Sequence, residues 1–176
     1  MSNRVDMSNE AKKKLIQKFK EIGVIKKEKV KLKHGGASRF YVDVKKTYGY
    51  PDILNELCKR VYEGMPETVS CIAAGGYGGL PLASTIALKY KLRLVLVRDK
   101  PKKHGRNAWI DGYVPNRKDK TWIVDDVLTT GKSIIQMAQI VRSTKAKVIG
   151  CGVVVRRGRR KLAIPCEYLM TAEDLM

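Results

Sequence analysis

The sequence predicts a single α/β domain: a central, mostly parallel sheet with helices on both faces. Three observations carry this. Strand-sized apolar runs alternate along the chain with segments of helical period, the pattern of strand–helix–strand units. The runs Val69–Ala74, Leu92–Val97, Trp122–Val124 and Lys147–Val155 are nearly continuous in apolar character, as strands covered on both sides require. Finally, 176 residues, 44% of them hydrophobic and 30% charged, have the size and balance of one globular domain able to bury a core without disulfides or a structural metal.

The elements follow in order. Ser8 or Asn9 can cap a first helix whose face is Ala11, Leu15, Ile16, Phe19 and Ile22, with Gly23 as its stop. Ser38–Val44 alternates, Phe40, Val42 and Val44 on one side and Tyr41 and Asp43 on the other, as a half-buried strand does. Pro51 opens a second helix with Ile53, Leu54, Leu57, Val61 and Tyr62 on its buried stripe. After Gly64 and Pro66 come the strand Val69–Ala74, a glycine loop Gly75–Gly79 and a helix Leu80–Tyr90. Leu92–Val97 is the next strand, and Arg98–Arg117 is a polar segment longer than the ~12–15 residues of an ordinary connection, so it is expected to be functional. A short strand, Trp122–Val124, runs into Asp125 and Asp126. A turn ending at Gly131 leads to a helix through Ile134, Ile135, Ala138 and Val141, and Lys147–Val155 closes the run before a basic tail from Arg156. No repeat, low-complexity stretch or linker divides residues 1–176, so one domain is expected.

Thirty-six Lys and Arg against seventeen Asp and Glu give a net charge of +19. Such an excess favours an anionic ligand, whether nucleic acid, acidic membrane or polyphosphate. The basic clusters, Lys12–Lys14, Lys26–Lys27, Lys45–Lys46 and Arg156–Lys161, are spread along the chain and fit solvated faces equally well. No apolar run approaches the ~18 residues of a membrane span, and the opening residues hold no secretory h-region. A cytoplasmic protein is expected. Cys58, Cys71, Cys151 and Cys166 form no C-x-x-C pair, which argues against a zinc knuckle, a redox motif or a disulfide framework. His34 has no partner cluster and reads as a surface residue rather than a metal ligand.

The strongest local signal is TWIVDDVLTTGKS at 121–133. A buried strand delivers two adjacent carboxylates to a Thr-Thr-Gly turn at a helix start. The N–H groups of that turn and of the helix N-terminus make an anion cradle, and Gly131 permits close backbone approach. Carboxylates at a strand end suit vicinal hydroxyls. A ligand with a phosphate and a diol a sugar's width apart is a phosphorylated ribose. A Walker A loop is excluded because its first glycine falls at Asp126, and the Gly76–Gly78 pair lacks the third glycine of a dinucleotide fingerprint, with Pro81 in its place. An acidic turn that merely caps a helix explains one aspartate but not the second, nor the TTGKS run.

These residues resemble the phosphoribosyl-diphosphate (PRPP) signature of the type I phosphoribosyltransferases. VRDKPKKHG (97–105), with WIDG at 109–112, is similar to the Lys-x-His-Gly lid of the orotate phosphoribosyltransferases, which purine enzymes lack. LKHGGASRFYVD (32–43), AAGGYGGLPLAS (73–84) and IPCEYLMTAEDL near the end resemble further stretches of that family. The likeness departs at Asp99, where the family lid has a second basic residue, at Gly78, where many members carry lysine, and at Ser38-Arg39 for Ser-Pro. Lys100 and Lys103 offer charge from neighbouring positions.

The resemblance implies a type I phosphoribosyltransferase-like fold with a small N-terminal hood (about 1–45) and a flexible lid loop (about 98–117). It implies transfer of the phosphoribosyl group from PRPP to orotate, with orotidine 5′-monophosphate and pyrophosphate as products. Catalytic roles fall to Lys102, His104, Asp125 and Asp126. PRPP contacts fall to those four and to Lys33, Gly75, Gly76, Tyr77, Gly78, Arg98, Val127, Leu128, Thr129, Thr130, Gly131, Lys132 and Ser133. Orotate contacts fall to Lys33, Tyr41, Thr129 and Arg156; core packing suits Tyr41 as well, and membership of the basic run suits Arg156 as well. Mg²⁺ is expected as cofactor, bound mainly through PRPP rather than by direct protein ligands. The implied assembly is a homodimer sharing its lid, with no membrane and no specific nucleic acid as partner. Two alternatives stay open: transfer to another nucleobase, or a PRPP-sensing nucleic-acid-binding regulator on the same fold.

Overall fold

The computed structural model describes residues 2–4, 7–26, 30–31, 37–38, 41–103, 108–158 and 160–176. Seven strands form the central sheet: β1 (Ser2–Arg4), β6 (Cys71–Ala74), β7 (Arg93–Val97), β8 (Ile110–Gly112), β9 (Lys120–Leu128), β10 (Lys147–Arg156) and β11 (Cys166–Thr171), in the order β1-β11-β10-β9-β6-β7-β8. All neighbours run parallel except the β7–β8 hairpin at one edge. Two small antiparallel pairs lie in sequence between β1 and β6: β2 (Ile25–Lys26) with β5 (Tyr41–Val42), and β3 (Val30–Lys31) with β4 (Ala37–Ser38).

Helices cover both faces, as the continuous apolar strands require. On one face α1 (Asn9–Ile22), α2 (Pro51–Glu63) and α3 (Gly76–Tyr90) set Leu15, Phe19, Leu57, Val61, Leu82 and Ile86 against Ile72, Trp122, Val124 and Val154. On the other, α4 (Lys132–Ser143) sets Ile134, Met137, Ala138 and Val141 against Ala73, Ile123 and Val153. Ser8 caps α1 by accepting the Ala11 N–H, and Gly23 ends it in the left-handed conformation, as the sequence predicts. Trp122, fully inside, lies flat against the backbone of Gly150 and Gly152 on the neighbouring strand, where any side chain would strike the indole. That contact explains the two glycines in an otherwise apolar strand.

Several boundaries differ from expectation. The Ser38–Val44 alternation does not make one strand: β5 ends at Val42, and Val44 opens a 3₁₀ helix, Val44–Gly49, while remaining buried. A period-2 pattern and a tight turn both bury Val42 and Val44, so the pattern alone does not separate them. The glycine loop Gly75–Gly79 is instead mostly the first turn of α3, with Gly75 as its cap. The strand expected at Trp122–Val124 runs on to Leu128 and carries both aspartates. The polar segment 98–117 holds a strand, β8, paired with β7. All four cysteines are free and buried.

Candidate active site

Parallel sheets present ligands to the loops beyond their strand C-termini, and here β6, β7 and β9 end against the starts of α3 and α4. Successive side chains of a strand point to opposite faces, so the adjacent carboxylates part. Asp125 turns to α4, where Ser133 Oγ donates to its Oδ2 at 2.8 Å and the Asp126 N–H donates to its Oδ1 at 3.0 Å. Asp126 turns to α3 and lies against Gly78, where a Cβ would clash with its carboxylate. The glycine at 78 is therefore what leaves room for Asp126.

Asp125 is only 7% exposed. Burial, followed by the neighbouring Asp126 charge, pushes its carboxyl up to about 7, while the bonds from Ser133 and the Asp126 N–H act the other way. Asp126 accepts the Val127 N–H at 2.8 Å on Oδ1, and Lys45 Nζ stands 3.6 Å from its Oδ2. Lys45 also pairs with Asp43 at 3.0 Å and donates to the Tyr41 hydroxyl at 3.5 Å. Tyr48 donates its hydroxyl proton to the Gly78 carbonyl at 2.6 Å.

Beyond Leu128 the chain turns through Thr129, Thr130 and Gly131. Gly131 sits at φ +74°, a left-handed conformation that glycine alone adopts without cost, and it caps α4. Thr130, Lys132 and Ser133 are exposed around the first turn, whose outward N–H groups and helix-end charge favour a phosphate. The starts of the two helices meet at the end of β7: Gly75, Val97, Arg98, Asp99, Ser133 and Met137 line a small cavity of about 40 Å³.

The base of the expected lid is a hairpin. The register continues one step past β7 and β8, from the Arg98 N–H to the Trp109 carbonyl at 2.9 Å, and a further backbone bond runs from the Lys102 N–H to the Ala108 carbonyl at 2.7 Å. Arg98 and Lys102 both bind Asp111, Arg98 Nη1 at 2.8 Å from its Oδ2 and Lys102 Nζ at its Oδ1. The two cations hold the Asp111 carboxyl below its ordinary range, Lys102 most strongly. Between this hairpin and α3 lies a cavity of about 580 Å³ lined by Tyr77, Leu80, Leu96, Arg98 and Asp111 among others.

Of the residues singled out from sequence, the structure brings residues 125–133, residues 75–78, and Arg98 with Lys102 onto three neighbouring segments at one end of the sheet. Tyr41 approaches Asp126 through Lys45. Arg156 ends β10 with its guanidinium over the Tyr168 ring at 5.4 Å and its Nε donating to the Gly158 carbonyl at 3.3 Å, which turns it toward β11. Lys33 and His104 lie outside the described residues. Sequence reasoning missed Lys45, Tyr48 and Asp111. Lys45 was hidden by extending the strand through Val44. Asp111 lies opposite Leu96, diagonally across from Arg98, a pairing that appears only once the segment folds into a hairpin.

A family model for the phosphoribosyl transferase domain matches residues 49–171. The chain is 36% identical over 152 residues, 84% of its length, to an orotate phosphoribosyltransferase of Thermococcus gammatolerans, covering 79% of that protein. It is 33% identical over 146 residues to one of Methanocaldococcus jannaschii, covering 83% of this chain and 82% of the other. The crystal structure of orotate phosphoribosyltransferase from Aeropyrum pernix superposes with a TM-score of 0.80 at 25% identity, over 92% of this chain and 95% of that one. With its split aspartate pair at the end of β9 and its cation-bearing hairpin, this chain belongs to the phosphoribosyltransferase family, among the orotate phosphoribosyltransferases.

Proposed function

We propose that the chain transfers the phosphoribosyl group of PRPP to a ring nitrogen of orotate, releasing pyrophosphate and forming orotidine 5′-monophosphate. The observation that carries this reading is the β9–α4 turn: a carboxylate pair for the ribose hydroxyls directly followed by a helix-start cradle for the 5′-phosphate. In this reading Asp125 and Asp126 hold the ribose, residues 127–133 the 5′-phosphate, and Gly75–Gly78 with Arg98 the diphosphate. Lys102 and His104 stabilise the charge on the departing pyrophosphate, and recognition of the base is assigned to Lys33, Tyr41, Thr129 and Arg156, the last of which would leave the Tyr168 ring to reach it.

Mg²⁺ belongs to the proposal as an ion carried in by the diphosphate, whose charge it would neutralise. Mg²⁺ keeps much of its water shell and binds chiefly through substrate phosphates, so the diphosphate would supply its oxygens and both aspartates stay with the ribose. The +19 charge then serves to draw in polyanionic substrates. Four free, buried cysteines fit a reducing, cytoplasmic setting.

A homodimer with a shared lid completes the reading. Tyr77 and Leu88 on α3 are 89% and 85% exposed; eleven residues apart, they share one helix face. That apolar face adjoins the cavity beside the lid hairpin, where a second subunit would cover it.

Purified protein with PRPP, Mg²⁺ and a panel of orotate, uracil and purine bases tests the activity by pyrophosphate release. Turnover is expected with orotate and is expected to stop on chelation. Use of another base in place of orotate would reassign the substrate. Mixing Lys102→Ala with Asp125→Asn under subunit exchange tests the shared lid: activity should reappear, because one site of each mixed dimer escapes both defects.

A further inference from the structure

The Val127 N–H holds one oxygen of Asp126 from within the phosphate turn, while the other oxygen is met from an element outside the phosphate and lid loops. The 3₁₀ helix Val44–Gly49 directly follows the short strands of the N-terminal region. It touches the site twice: Lys45 at 3.6 Å from Asp126 Oδ2 and Tyr48 on the Gly78 carbonyl at 2.6 Å. Gly78 is the residue against which Asp126 packs, so the two contacts grip the carboxylate and its opposing wall together.

We infer that Lys45 is a positioning residue, which fixes the Asp126 carboxylate in the direction that ribose hydroxyls require and ties that direction to the Asp43–Tyr41 segment. Val127 N–H engages Oδ1 from the strand side and Lys45 engages Oδ2 from the opposite side. With both oxygens restrained, the carboxylate is held in one orientation at the end of the strand. Lys45 is itself held by Asp43 and by the Tyr41 hydroxyl, and Asp43 is anchored to the end of α1 through its N–H, which donates to the Val24 carbonyl at 2.8 Å. Burial works against the ammonium, but Asp43, Asp126 and Tyr41 outweigh it and keep its proton more tightly bound than usual. The lysine therefore stays a cation throughout the working pH range.

This inference rests on the assignment of Asp126 to the ribose of PRPP. An interaction made equally in the bound and transition states changes KM and leaves kcat alone. Lys45→Met is thus expected to raise the KM for PRPP roughly tenfold with kcat and the KM for orotate within twofold. Lys45→Arg, which keeps a cation, should recover most of the loss. Calorimetric PRPP binding reads the same effect without turnover, so it decides the matter even if orotate is not the base. In an Asp126→Asn background, Lys45→Met should cost no further PRPP affinity, because the two residues act as one unit. Equal loss of affinity with and without Asp126 would overturn the inference, as would unchanged PRPP binding in Lys45→Met. If Lys45→Met does not fold, Lys45→Gln and the arginine variant give the same contrast. A wild-type protein that binds no PRPP overturns the functional reading itself, and this inference with it.

Discussion

The β9–α4 turn and the β7–β8 hairpin both carry charge at the same end of the sheet, and they hold it in opposite ways. In the turn, each aspartate is fixed by a backbone N–H and by Ser133 or Lys45, and Asp126 is also closely packed against Gly78. Those partners come from β9 itself and from helices packed on both faces of the sheet, so the geometry is built before any ligand arrives. In the hairpin, the cations Arg98 and Lys102 share a single half-buried carboxylate, Asp111. Their charge is parked, ready to be exchanged for that of a polyanion. One region supplies direction and the other supplies movable charge.

The sharpest way to break this contrast is to remove charge from the fixed region. Asp126→Asn keeps the size of the side chain but loses the charged acceptor. Hydrogen bonds to charged groups are worth roughly 1.5–3 kcal/mol, which corresponds to about 10- to 150-fold in affinity. PRPP binding by calorimetry should weaken by that much while the melting temperature stays nearly constant. A protein that loses stability but binds PRPP normally would make the aspartate pair structural.

Gly78→Ala tests the same region by volume instead of charge. Gly78 has an ordinary negative φ within α3, so alanine suits the backbone there, and in a helix interior it is favoured over glycine by about 1 kcal/mol. The new methyl nevertheless occupies the space of the Asp126 carboxylate. The expected result is a melting temperature held or raised, together with PRPP affinity lowered by up to roughly tenfold, the equivalent of one strained hydrogen bond. Unchanged binding would mean that the carboxylate can turn aside without consequence.

A smaller effect follows from the burial of Asp125. Its folded-state pKa lies above the unfolded one, about 7 against an ordinary 3.8, so the folded state holds the proton longer. The stability this contributes is complete below about pH 4 and is lost as pH rises toward 7. Asp125→Asn cannot ionise, and its amide still accepts the Asp126 N–H while Ser133 reverses its hydroxyl. Melting curves of the ligand-free proteins between pH 5 and 8 should therefore show the variant gaining on the wild type as pH rises, then holding its lead. A constant difference across that range would mean Asp125 is ionised throughout.

The contrast between the regions also governs how much was legible in the sequence. The turn declares itself because its chemistry is contiguous: strand, two aspartates, Thr-Thr-Gly and a helix start fall within TWIVDDVLTTGKS. Alternating apolar runs and helical stripes likewise gave the layers of the fold, since burial on a sheet imposes them. The contacts that span the chain were not legible. Lys45 reaches Asp126 across 81 positions of sequence, and Tyr48 reaches Gly78 across 30. No local period encodes such pairs; they follow from how α3 and the 3₁₀ helix stack on the sheet. The same is true of Gly78, which reads as a missing lysine in one dimension and as space for a carboxylate in three.

The smallest effect, with the opposite sign, belongs to the hairpin. Asp111 lies at the surface, half-buried, and holds both Arg98 and Lys102, so a diphosphate that recruits these cations must first displace it. Exposed ion pairs contribute little to folding, and Asp111→Asn should leave the melting temperature unchanged. It should lower the KM for PRPP by roughly two- to threefold at low ionic strength, because the competing carboxylate is gone. Salt screens exposed charges beyond ~10 Å at 0.1 M and ~3 Å at 1 M, so the gain should shrink as salt is added. Steady-state kinetics at two salt concentrations measure both parts of this. If Asp111→Asn weakens PRPP binding instead, as Asp126→Asn does, then Asp111 aims its cations rather than restraining them. The hairpin would then be a second preset half of the site, and the distinction between fixed direction and parked charge would fall.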